Sequence, residues 1–116
     1  MTRMTLEVPD ELAERIRPLA SWLPALLELS LVGCRTPAAA TAAEVVEFLA
    51  GEPSSAELIE YQASERAQER LQHLLRLNKE DCLGEDEERE LDELQQIEHI
   101  VVMLKARAAE RLQAGQ

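Results

Sequence analysis

Aromatic side chains are almost missing from this chain: Trp22, Phe48 and Tyr61 are the only three among 116 residues. The core must then be filled by aliphatic side chains, and the supply is 19 Leu and 16 Ala. These are the strongest helix formers among apolar residues, and β-branched runs are nearly absent. Sheet-rich folds are thereby excluded and an all-α class follows. Four glycines form no Gly-rich loop that could cradle a phosphate. The two cysteines, Cys34 and Cys82, stand far apart rather than as C-x-x-C. Both fall at expected loops and read as free thiols, with a disulfide the lesser option. No apolar run reaches the ~18 residues that cross a bilayer. The opening residues lack the basic-then-apolar pattern of an export signal, so a cytoplasmic protein is expected.

Clustered bases are also missing. The 12 Lys and Arg are scattered among 23 Asp and Glu, for a formal net charge of −11. Residues 51–116 hold sixteen acids and eight bases, which places −8 of the −11 in the second half. Displacing counterions from a phosphate backbone requires a basic patch, so direct nucleic-acid binding is not expected. An acidic surface serves solubility first, and its natural complement is a basic protein.

What is present is organised around residues 53–116, which read as a long antiparallel helical hairpin. Ser54 and Glu57 form a capping box for the first arm. From there Leu58, Ala63, Ala67, Leu71, Leu74 and Asn78 recur at steps of three and four, the spacing of one helix face. Asp81–Gly84 supplies the turn. The second arm opens on Glu85-Asp86-Glu87-Glu88, closes on Lys105, Arg107 and Arg111, and carries a stripe through Leu91, Leu94, Ile97, Val101, Leu104, Ala108 and Leu112. Acids at its start and bases at its end suit the helix dipole. At 1.5 Å per residue the arms measure roughly 33 and 40 Å. Stripes of that length must be buried, against each other or against a second copy.

The first half holds shorter elements, and the whole reads as one domain. Residues 1–9 alternate, with Met4, Leu6 and Val8 on one side and Arg3, Thr5 and Glu7 on the other, the period of a half-buried strand. A single strand has no partner in a helical chain, so it must pair across a dimer, lie on the helices or stay mobile. Residues 10–52 read as about three short helices. The first runs from Asp10 to about Arg17 and stops at Pro18. The second is capped by Ser21, and the third starts at Thr36-Pro37 and stops at Gly51. The segment Trp22–Val32 is apolar nearly all round, which predicts deep burial or a contact surface.

Two resemblances follow from these residues. Leu6-Glu7-Val8-Pro9-Asp10-Glu11-Leu12 resembles the opening of ribbon-helix-helix regulators, whose paired strands enter the DNA major groove. Here Pro18 and Pro24 interrupt the chain where that fold has its long second helix, and Glu7 would face phosphates with the wrong sign. The second resemblance covers about 45 residues. Glu65-Arg66-Ala67-Gln68-Glu69-Arg70-Leu71, then Glu90-Leu91-Asp92-Glu93-Leu94, then Glu98-His99 and Leu104-Lys105-x-Arg107-Ala108 are similar to a set of small, largely uncharacterised bacterial proteins, many of them cyanobacterial. Some of these are suspected to be antitoxins of toxin–antitoxin pairs. Asp81 stands where their pattern has Gly, and Gly84 where it has Thr or Ser. The resemblance implies a partner-binding role and carries no catalytic residues.

Enzymatic alternatives are tested on the residues themselves. An all-α metal-dependent hydrolase would use helix carboxylates or Glu-x-x-His pairs. His73 follows Glu69 at four residues rather than three, His99 follows Glu98 directly, and Glu90 lies off the face that Glu87 and Glu88 would require. Glu85–Glu93 therefore reads as a solvated helix start, and His99 as bordering the hairpin seam. No Ser-His-Asp set is present. No catalytic residue, metal ligand or cofactor is assigned. The expected function is a non-catalytic binding protein, homodimeric, that meets a basic partner such as a toxin. Trp22, Leu26, Leu29, Glu88 and Asp92 are the candidate contact residues. The metal-dependent hydrolase is the alternative, and a DNA-binding regulator the lesser one.

Overall fold

The computed structural model describes residues 1–32 and 36–115. Among them the regular structure is helical: α1 (Asp10–Ile16), a 3₁₀ helix (Arg17–Trp22), α2 (Leu23–Leu31), α3 (Ala38–Ala50), α4 (Ser55–Ile59), α5 (Glu65–Lys79) and α6 (Glu85–Gln113). No helix is long and apolar enough to cross a membrane.

The longest element, α6, is the spine of the core. Leu91, Leu94, Ile97, Ile100, Leu104 and Ala108 are buried along it, a ladder of threes and fours that follows the helical period. Trp22, Ala25 and Leu29 pack on it from one side, Ala42, Val45 and Leu49 from α3, Leu58 from α4 and Leu74 from α5. Small residues at Ala38, Ala42 and Ala108 let helix backbones approach closely. Arg111, in the last turn of α6, lies over the Trp22 ring with its guanidinium carbon 4.5 Å from the centroid, a cation–π contact that closes that end. Leu112 is exposed, so the stripe ends one turn before the sequence suggests.

Two local expectations are corrected. Residues 1–9 form no strand. A strand needs a ladder partner, and among the described residues the chain offers none, so Met4 and Leu6 stay 79% and 70% exposed.

The first arm is not continuous either. The Ser54–Glu57 capping box forms as read, with Glu57 N–H donating to Ser54 Oγ at 3.1 Å and Ser54 N–H to Glu57 Oε1 at 3.2 Å. The helix it starts ends at Ile59, and a new one begins behind Ser64, whose Oγ accepts from Ala67 N–H at 3.2 Å. Long-range contacts hold the break open. Glu44 of α3 accepts from Ser64 N–H and Oγ–H at 3.2 and 2.9 Å and from Arg66 at 3.0 Å. The Tyr61 ring meets Phe48 with centroids 4.5 Å apart.

The α3 stop falls at Gly51, as the sequence suggests. Gly51 keeps an ordinary φ of −79°, and it is Glu52 that turns left-handed at φ 54°. The end of α5 uses the same device with Asp81 at φ 58°. Cys82 N–H reaches Leu77 O at 2.9 Å and Asp81 N–H reaches Asn78 O at 3.1 Å, the paired bonds of a Schellman motif. Glycine is the residue favoured at such a position, because its lack of a Cβ removes the left-handed penalty.

Gly84 precedes α6 without a side chain to cap it. The helix start is held by Glu87, whose carboxylate accepts from Gly84 N–H at 3.1 Å.

Candidate partner-binding surfaces

Of the candidate contact residues, Trp22 and Leu29 are core residues and Leu26 is half-buried against that core. The end of the 3₁₀ helix and α2 therefore use these three side chains inside the molecule, and α2 turns a different face outward. What it turns outward is Leu27 and Leu31, 52% and 83% exposed, one helical turn apart. Glu88 and Asp92 are exposed on α6, also one turn apart, and neither makes an ion pair among the described residues.

The acidic start of α6 divides into two populations that sequence reasoning did not separate. Glu90 is 2% exposed. It receives both Arg70 Nε–H at 2.8 Å and an Arg70 Nη–H at 2.7 Å, a bidentate pair across the turn between α5 and α6. That carboxylate in turn holds the Arg70 guanidinium above its already high range. Glu93 is also buried, and accepts the Thr36 hydroxyl at 2.7 Å. Thr36 Oγ accepts in turn from Ala38 N–H at 3.2 Å, so one hydroxyl links the start of α3 to the middle of α6. Arg70 and Thr36 lie twenty and fifty-seven residues from their partners, so no local pattern names the partner of either glutamate.

Two recesses flank α6. Between α2 and α6 runs an open groove of about 600 Å³, with buried Val32 and Ile100 on its floor, exposed Leu31 at its edge and Glu28, Asp92, Gln96 and His99 around it. His99 thus faces α2 and solvent instead of the seam with α5. On the opposite side, α3, residues 61–63, α5 and α6 enclose a groove of about 330 Å³. Its floor is Val45, Ala67, Leu71, Leu94, Ile97 and Val101, and Gln62, Gln68, Glu98 and Lys105 stand on its rim. Tyr61 also lines it; burial raises its phenol pKa, and the nearby Glu44 charge raises it further.

Glu44 behaves in the opposite sense. Burial pushes its carboxyl up, but the Ser64 hydroxyl, the Ser64 N–H and the Arg66 guanidinium together outweigh that and hold it below the ordinary carboxylate value.

Among the described residues no three His, Cys, Asp or Glu side chains converge as a metal ion requires. Cys82 is an exposed free thiol whose S–H donates to Glu80 O at 3.3 Å, and Cys34 lies outside the described residues. What the surface offers chemically is apolar area bordered by carboxylates. No family model, no curated protein and no solved structure matches this chain.

Proposed function

We propose that the chain is a non-catalytic, cytoplasmic protein-binding module that works as a homodimer and meets a basic protein, as the antitoxin of a toxin–antitoxin pair would. The observation that carries this reading is the α2–α6 groove. Exposed Leu31 and the floor residue Ile100 offer apolar contact, and Glu28 and Asp92 border it with Glu88 one turn further along α6. A partner that places an apolar anchor there and bases around it satisfies both features. The homodimer supplies the missing context for residues 1–9, whose alternating Met4, Leu6 and Val8 become a buried face only against another chain.

Carboxylates at a rim act mainly on encounter, so their removal slows association more than it alters the fold. The test compares the wild-type chain with a Glu88→Lys, Asp92→Lys variant, each immobilised and exposed to lysate of the source cells at two salt concentrations. A basic protein should be retained by the wild type at low salt and lost both with added salt and in the variant. Retention of the same protein by both chains at both salt concentrations would contradict the proposed role of this face.

A further inference from the structure

The surface of this chain is too large for its mass. It exposes 8530 Å², whereas a compact monomer of 13.0 kDa exposes about 6,300 Å². Its radius of gyration is 16.1 Å, against about 13.4 Å for a compact domain of this length. A stable dimer needs about 800 Å² from each partner, and the excess is more than twice that.

A good part of the excess is at the N-terminal end. No residue of α1 is buried, and Met4 and Leu6 are among the most exposed large apolar side chains. Residues 1–22 also carry three bases and four acids, so only −1 of the −11 lies there. Residues 2–8 hold one base, Arg3, and one acid, Glu7, so this segment approaches an acidic copy without net repulsion.

The groove between α3, α5 and α6 has the complementary character, with its apolar floor and a rim carrying one acid and one base. Glu98 and Lys105 lie two turns apart on one line of α6, ~10 Å. Neither forms an ion pair among the described residues. On an extended segment Arg3 and Glu7 lie on one side, ~13 Å apart. We propose that the occupant of this groove is residues 2–8 of a second copy. Met4, Leu6 and Val8 face its floor, Arg3 lies toward Glu98 and Glu7 toward Lys105. The Gln62 amide is placed to pair with the backbone of the inserted segment, and Gln68, whose Nε2–H is donated to Ala63 O at 2.6 Å, keeps its amide oxygen as an acceptor. Exchange of the two arms is reciprocal and closes the dimer.

This rests on the homodimer reading and adds where the second copy is held. The test is sedimentation at high micromolar concentration on the full chain and two variants, with circular dichroism confirming helicity. Leu6→Asp breaks the arm and leaves the groove open. Ala63→Trp fills the groove and leaves the arm intact, and Ala63→Glu replaces it if the tryptophan variant loses helicity. The wild type should be a dimer, each variant alone a monomer, and an equal mixture of the two should associate again through the one intact arm and one open groove. A monomeric wild type would overturn both the homodimer and this site. A dimer that survives Ala63→Trp, or a mixture that stays monomeric, would leave the homodimer standing and overturn the groove as its seat.

Discussion

The N-terminal arm and α6 both carry apolar residues at a regular period, and they end in opposite situations. In α6 every third or fourth residue from Leu91 to Ala108 meets α2, α3, α4 or α5, and even Glu90 and Glu93 find partners inside the molecule. Along the arm the same kind of pattern is left mostly uncovered: Met4 and Leu6 are exposed, Val8 is only half-buried and α1 buries no side chain. Periodicity thus states that a face needs covering, and the three-dimensional arrangement alone states whether the chain covers it. Where it does not, the cover must come from elsewhere, which is the physical content of the proposed dimer.

The sharpest way to break the α6 side of this comparison is Arg70→Ala. It leaves the Glu90 carboxylate buried without its counter-charge, and removing one member of a buried pair costs ~3–5 kcal/mol. Arg70 itself is partly exposed, so water reaches the site and the loss should fall toward the lower end. Replacing both partners, with Arg70→Met and Glu90→Leu, should lose much less than the single change. Urea denaturation of the three chains checks this, and equal losses in the single and double variants would mean that the pair contributes nothing specific.

Next in size is Leu94→Ala, which opens a void between α6 and the floor of the groove and should cost ~2–5 kcal/mol. A loss under half a kcal/mol would mean that Leu94 is not packed as its burial indicates.

The smallest effect belongs to Glu44, whose network keeps residues 60–64 out of helix. Its carboxyl is held below the unfolded value, so its stabilising contribution is present above the ordinary carboxylate range and is lost as pH falls through the folded value. The Arg66 partner is well exposed, which keeps the effect small. Melting temperatures of the wild type and Glu44→Gln should differ at neutral pH and converge in acid. A difference that stays constant with pH would remove the carboxylate charge from the account.

Much of the helical part was legible because its signals are local. The Ser54–Glu57 box and the ladder from Leu91 to Ala108 each depend on residues within a few turns. What could not be read depends on distant chain. The break at residues 60–64 looks like continuing helix until Glu44 and Phe48 of α3 are brought against it. Glu90 and Glu93 stand one turn before Leu94 and Ile97 on the apolar stripe, whereas Glu88 and Asp92 lie opposite it, so spacing alone separates the pairs. What the sequence hides is that distant Arg70 and Thr36 satisfy the buried two. Glu52 and Asp81 occupy left-handed positions that a glycine would have announced. Within the segment Trp22–Val32 the apolar pattern points to Trp22, Leu26 and Leu29 as contact residues, although the core has first use of those and leaves Leu27 and Leu31 outside.

The contrast between a self-covered spine and an arm that waits for a second copy is tested most directly by amide hydrogen exchange at two protein concentrations, one well below and one well above association. Amides from Leu91 to Leu104 should be protected at both. Those of residues 3–8 should exchange freely in the dilute sample and become protected in the concentrated one. Fast exchange of residues 3–8 at both concentrations, or slow exchange at both, would contradict the account.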